Sequence, residues 1–367
     1  MITSMRDAFF ITLLPELKKN KNILVLSNDQ GAPALDSYRT ECPGQFINMG
    51  ISEQNIISVA AGLALSGKKV FVYGIAPFVT LRCYEQIKID LCAMRLPVCI
   101  VGVGCGYGYA VDGPTHHATE DLSAMRALAD IVILCPSDPR SVAILVPVTV
   151  AHPGPLYLRL DREPMALPMH PWVKGSSHGF SVLQEGTDLS IIACGNMVSR
   201  ALEVAAELMQ QDVHAQVIDC YQVKPIPLRI GRSLAGIPRV VTLEEHTVHG
   251  GLGSAILETF AALNLQVPVK CFGVGDAQLY AYGTRQDLHW QRGLDARSVA
   301  GAIRLWMDGE EEPLDVETEE PVDSLEAMQA AGGGARRPAV PRPEALPGSQ
   351  RSTPRSEAAA SRGAQHA

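Results

Sequence analysis

The chain has 367 residues and little of what marks several large protein classes. Its nine cysteines include no C-x-x-C pair, and no histidine-rich spacing accompanies them. A disulfide framework is therefore not expected, nor a metal held by this chain. Cys99, Cys135, Cys194 and Cys271 sit in apolar runs and read as small core residues in a reducing compartment. No apolar run approaches the roughly 18 residues of a membrane span. Residues Met1 to Phe10 lack a charged region followed by a long apolar core, so no signal peptide is expected and the cytoplasm is the expected location. The net charge of -8 argues against a nucleic-acid binder. Neither an internal repeat nor a lipidation motif is present. What is there in quantity is apolar sequence: 47% hydrophobic residues, enough for two cores in a soluble globular protein.

Short apolar runs alternate with helical patterns. Residues 23–26, 70–73, 98–101, 131–134 and 156–160 read as strands, with amphipathic segments such as 82–94 between them. Continuous apolar strands separated by helices indicate a parallel sheet covered on both faces. Asp138 is placed to cap a helix over 140–150. From about Glu163 to Gly179, proline and histidine recur without periodicity, as in a linker. A second α/β unit starts at residues 189–195. Its helix over 198–209 spaces Ala201, Val204 and Leu208 on one buried face, and strands recur at 215–218, 240–243 and 269–272. The turn Gly250-Gly251-Leu252-Gly253-Ser254 starts a helix; it reads as a tight turn, with anion binding as the alternative. After Gly309 an acidic run leads into an Ala/Pro/Gly/Arg/Ser-rich tail that buries too little apolar surface to repay ordering. The expected fold is thus two consecutive three-layer α/β domains with largely parallel sheets, at 1–165 and 186–309. A linker at 166–185 and a disordered tail at 310–367 complete the chain.

Two segments carry chemistry. Gly50-Ile51-Ser52-Glu53-Gln54-Asn55 lies between a strand-like run and the small-residue helical segment 56–64. A carboxylate at the mouth of so apolar a helix is costly to bury, and desolvation suits a glutamate to shuttle protons near neutrality. The plainer alternative is that Glu53 complements a helix N-terminus. Downstream, Asp112-Gly113-Pro114-Thr115-His116-His117 follows an apolar strand and a glycine-rich turn.

Together these segments resemble the thiamine-diphosphate enzymes of the transketolase group, at their pyrimidine-binding domain. The resemblance extends more weakly from about Met5 to about Met307. It implies that Glu53 contacts the ring nitrogen N1′ of the cofactor's aminopyrimidine and relays its proton, and that Asp29 and Ile51 lie beside the cofactor. Phe78 is the nearest aromatic platform for that ring, although the family's register places its phenylalanine on Val79; core packing is the competing role. His116 and Asp112 are implied to contact substrate hydroxyl and carbonyl groups. His116 fits D-G-x-T-H better than His117, and histidine suits proton transfer near neutrality. Arg82 matches an arginine of 1-deoxy-D-xylulose-5-phosphate synthases, with a solvated helix-start arginine as the alternative. Arg159 matches an arginine for the distal phosphate of sugar substrates, a task suited to a bidentate guanidinium. One departure stands out: transketolases carry a histidine where this chain has Gly104 or a neighbour, which puts a phosphorylated donor in doubt.

The family's diphosphate-binding domain carries G-D-G followed by an asparagine, and no G-D-G occurs here. The chain thus resembles the C-terminal half of a split transketolase. That implies a partner subunit carrying G-D-G, which holds thiamine diphosphate through Mg2+ or Ca2+, in an α2β2 heterotetramer acting on small sugars. Condensation in the manner of a deoxyxylulose-phosphate synthase, a 2-oxoacid dehydrogenase beta subunit and an inactive scaffold paralogue are the competing readings.

Overall fold

The computed structural model describes residues 3–165, 178–276, 278–281 and 283–310. The tail after Glu310 and most of the expected linker, residues 166–177, lie outside the described residues. Besides a two-stranded pairing of Thr3–Ser4 with Pro164–Met165, twelve strands build the two large sheets: β1 (Ile23–Ser27), β2 (Phe46–Asn48), β3 (Lys69–Ile75), β4 (Val98–Val103), β5 (Val132–Leu134), β6 (Leu156–Leu160), β7 (Ser181–Gln184), β8 (Leu189–Ala193), β9 (Ala215–Asp219), β10 (Gln222–Lys224), β11 (Val240–Thr247) and β12 (Val269–Val274).

The first sheet runs β10-β5-β6-β4-β3-β1-β2 and is parallel except for β10. The second runs β12-β11-β8-β9-β7 and is parallel except for β7. Strands β1, β4 and β6 are buried along their whole length, as their unbroken apolar runs require of a sheet with helices on both faces.

Two assignments of the sequence shift. Ser181–Gln184, inside the expected linker, forms the antiparallel edge strand β7 against β9. And β10, from the second half of the chain, closes the edge of the first sheet by pairing antiparallel with β5. One core accordingly draws on both halves: Leu26, Ile100 and Ile133 of the first sheet share a cluster with Ile192, Ile218 and Leu252. On the other face of the first sheet, Phe9 and Phe10 of helix Met5–Lys19 pack against Phe71 and Tyr73. Helix Met197–Met209 turns Ala201, Val204 and Leu208 into the second sheet, on the periodicity read from the sequence. Eight of the nine cysteines are buried, all nine are free, and Cys271 is half-buried.

Candidate active site

Parallel strands place all their carboxyl ends on one edge, where open α/β sheets present their binding crevices. Asp29 follows β1, Glu53 follows β2, helix Ala76–Thr80 with Phe78 follows β3, the glycine–tyrosine loop follows β4, and Arg162 follows β6. Five segments distant in sequence therefore meet at one edge.

The motif around Glu53 is built by its backbone. Gly50 adopts φ +68, a left-handed conformation that glycine takes without steric cost. Its N–H donates to Asn48 Oδ1 at 2.9 Å, and Ser52 Oγ donates to the Met49 carbonyl at 2.7 Å. This tight loop starts helix Glu53–Leu65 with Glu53 as its first residue. The helix buries Ile56, Ile57, Ala60, Ala61 and Ala64, and its rigid packing fixes the carboxylate. Glu53 is only 6% exposed. Its Oε2 meets the Arg82 guanidinium at 3.0 Å.

From that pair a continuous series of contacts crosses the edge. The Arg82 guanidinium lies 4.3 Å above the centre of the Phe78 ring. Phe78 meets His116 edge-on, with ring centres 5.1 Å apart. His116 lies 5.9 Å from the Tyr109 ring, and the Arg162 guanidinium stacks 4.3 Å over Tyr109. Thr115 Oγ1 lies 3.0 Å from His116 Nδ1 and steadies the imidazole. Asp112 sits exposed on the short turn Ala110–Asp112 that precedes these residues.

The adjacent histidines take different surroundings. His116 is half-buried among Phe78 and Tyr109, whereas His117 is buried with its ring 5.0 Å from Tyr107, and burial lowers its pKa. Of the two positions in question for the aromatic platform, Phe78 joins the cluster, and Val79 is fully buried in the core. Asp29 is exposed, and Ile51 is 74% exposed beside Glu53. At Gly104, the position or near neighbour where the family's histidine is expected, a side chain would meet an obstacle. Gly104 has φ +83, and a side chain there would run into the Tyr109 ring at 2.0 Å. The tyrosine fills the space that a histidine at 104 would need.

Arg159 does not belong to this cluster. It is 2% exposed, and its guanidinium grips Asp121 through Nε at 2.7 Å and a second nitrogen at 3.1 Å. It also donates to the Ala118 carbonyl at 2.9 Å, while Tyr157 donates to Asp121 at 2.6 Å. Burial by itself would raise the Asp121 carboxyl; Arg159 and Tyr157 hold it below the usual range. Its Nε and one terminal nitrogen are engaged inside the protein, a bracing role that lends no support to the phosphate role expected of it. Arg162, three residues on and half-buried, is the arginine that reaches the cluster. Sequence alone offered a signal, since Arg159 lies inside an apolar strand run and Arg162 just past its end.

A second missed group is Asn28, buried beside Gly74 at the same edge, whose side-chain oxygen and nitrogen have no hydrogen-bond partner within the protein. Among the described residues no group of three or more His, Cys, Asp or Glu side chains gathers to hold a metal ion, and no helix is long and apolar enough to cross a membrane.

Comparison with known proteins matches residues 3–166 to the transketolase pyrimidine-binding domain and residues 179–299 to the transketolase C-terminal domain. The chain is 35% identical over 302 residues to an apulose-4-phosphate transketolase subunit of Phocaeicola vulgatus, covering 80% of this chain and 94% of that one. It is 33% identical over 305 residues to a 6-deoxy-6-sulfo-D-fructose transketolase subunit of Clostridium sp., covering 81% and 92%. To the 1-deoxy-D-xylulose-5-phosphate synthase of Microcystis aeruginosa it is 32% identical over 276 residues, but spans only 43% of that protein. Among solved structures, a split-gene transketolase described as an inactive beta4 tetramer superposes with a TM-score of 0.73 at 33% identity, covering 82% of this chain and 97% of that one. This chain therefore belongs to the transketolase family, of which it carries the pyrimidine-binding and C-terminal domains.

Proposed function

We propose that this chain is the pyrimidine-binding subunit of a split, thiamine-diphosphate-dependent transketolase of the cytoplasm. With a partner subunit it would transfer a two-carbon ketol unit between sugars or sugar phosphates. The observation that carries the proposal is the unbroken series of contacts from Glu53 through Arg82, Phe78, His116 and Tyr109 to Arg162. The partner is supported by relatives that this chain covers almost end to end and that are themselves named subunits. It would supply the G-D-G segment and the Mg2+ or Ca2+ that holds the diphosphate, in an α2β2 assembly with two active sites, the closed two-fold arrangement commonest among oligomers.

The residues present fit the aminopyrimidine end of the cofactor: a buried carboxylate that helix packing holds in place, and a half-buried aromatic face beside it. When bound, thiamine diphosphate supplies the centre that stabilises a carbanion. Glu53 would hold and pass the proton at ring nitrogen N1′. Phe78 would orient the ring by stacking. His116 would exchange protons with substrate hydroxyl or carbonyl oxygen, and Asp112, exposed beside it, would accept from a sugar hydroxyl. Arg162, stacked over Tyr109, would take the far end of the substrate, polar or anionic. Tyr109 in place of a histidine at 104 narrows the donors toward sugars that need one phosphate ligand fewer. A synthase-like condensation remains the second reading, favoured by the match of Arg82.

Glu53→Gln tests the proposal. Glutamine still hydrogen-bonds but cannot relay a proton, so turnover by the chain reconstituted with its partner should fall by about 10²- to 10⁴-fold. The melting temperature should stay close to that of the parent. Turnover near the parent's would refute the proton relay, and an inactive scaffold would lose nothing.

A further inference from the structure

Arg82 engages both groups that the proposed function assigns to the aminopyrimidine. Its guanidinium donates to the Glu53 carboxylate at 3.0 Å and stacks 4.3 Å over Phe78. A guanidinium is planar, delocalised and nitrogen-edged, and it stacks on aromatic faces while its edge binds a carboxylate. An aminopyrimidine ring protonated at N1′ offers the same plane, the same N–H donor to a carboxylate and the same stack. While Arg82 stays, the Phe78 face that it covers is closed to the ring, and Glu53 Oε2 already has a donor.

We infer that Arg82 is a placeholder in the pyrimidine site: a positioning residue that occupies Glu53 and Phe78 and must swing away when the ring enters. Three observations support the role. Glu53 is 6% exposed, and a carboxylate so enclosed is costly without a positive partner. Arg82 is 46% exposed on its side chain, so solvent lies open to it when it leaves. It is anchored just beyond the short helix Ala76–Thr80, whose last turn ends at Leu81, so its side chain can reorient without disturbing a long element. The placeholder keeps the carboxylate partnered and oriented before the ring arrives, and it makes ring binding an exchange of one planar cation for another. The ring's affinity for the chain is accordingly reduced by what Arg82 gives up.

This inference rests on the reading of Glu53 and Phe78 as the pyrimidine contacts, and the test separates the two. The full chain is titrated with 4-amino-5-hydroxymethyl-2-methylpyrimidine, the ring portion of the cofactor, by saturation-transfer NMR. Arg82→Leu removes both contacts and should bind the probe about five- to tenfold more tightly than the parent, the scale of one exposed ion pair plus one cation–π contact. Arg82→Lys keeps the charge but not the plane and should gain less. Glu53→Gln should weaken binding. Binding by Arg82→Leu equal to or weaker than the parent's overturns the placeholder and leaves the pyrimidine reading intact if Glu53→Gln still weakens it. A Glu53→Gln variant that binds as the parent does overturns the pyrimidine reading itself. Should Arg82→Leu fail to fold by circular dichroism, Arg82→Lys decides on the same criterion: no gain overturns the placeholder.

Discussion

Arg159 and Arg162 lie three residues apart and serve opposite ends. Arg159 closes a buried network with Asp121, Tyr157 and the Ala118 carbonyl; Arg162 lies half-buried over Tyr109. Removing one partner of a buried pair strands the other charge, so Arg159→Ala should cost about 3–5 kcal/mol. Arg162→Ala should change stability by only about 0.5 kcal/mol, since it strands nothing, and should instead raise the substrate KM of the assembled enzyme. Urea unfolding and steady-state kinetics on both variants check this. A stable Arg159→Ala with a raised KM would support the phosphate role of Arg159. The motif residues Glu53 and His116 were legible in the sequence because their spacing and flanks are local. Which arginine reaches the cluster was legible only through position, Arg162 standing just past the apolar run that holds Arg159; within β6 every residue is buried, and strand alternation carries no signal.

At the scale of elements, β11 shows how tertiary context overrides a local pattern. Its consecutive Glu244, Glu245 and His246 are all buried, each with its own partner. Glu244 accepts from the Leu252 and Gly253 N–H groups at 2.7 and 2.8 Å, which puts its carboxylate, not a ligand, at the glycine turn that starts helix Leu252–Leu263. Glu245 takes Arg285 and His289; burial opposes its charge, and Arg285 more than offsets that, holding it well below the usual range. His246 Nε2 accepts from Leu122 N–H at 3.0 Å and from Ser123 N–H at 3.3 Å. Burial lowers its pKa to about 4, and protonation would also turn that nitrogen against two donors.

The sign follows. Between about pH 6.5 and 4 the unfolded chain binds a proton at His246 that the native state refuses, so its contribution to stability is lost as pH falls through that window. Glu244, raised by burial to about 7, acts oppositely, favouring the native state as pH falls from about 7 toward 4.5. Comparing the parent with His246→Gln isolates the histidine. The parent should lose about 1.4 kcal/mol per pH unit relative to the variant across that window, read from denaturant midpoints at a series of pH values. Parallel pH profiles would show that His246 titrates normally.

At the scale of the whole molecule, the two sheets are not independent bodies. Strand β10 completes the first sheet from the second half of the chain, and Lys224 donates to the Arg126 carbonyl at 2.8 Å and to that of Leu128. The Leu26–Ile100 core continues into Ile192 and Ile218. A fragment ending at residue 165 would expose an open edge at β5 and the apolar face that meets the second half. It should be insoluble or unfolded, while residues 1–310 unfold in one cooperative transition. A soluble 1–165 fragment with native far-ultraviolet circular dichroism and a sharp melt would contradict this.

Fold class, the strands of each sheet's centre, the apolar face of helix Met197–Met209, and the Glu53 and His116 motifs were determined by the sequence itself. Each depends on a periodicity or a spacing that survives in one dimension. The edge strands β7 and β10, the bracing role of Arg159, the placement of Phe78 rather than Val79, and the Arg82–Glu53 pair were decided only by the tertiary structure. They depend on which surfaces meet across gaps of tens of residues, where burial and charge pairing, not local pattern, select the contact.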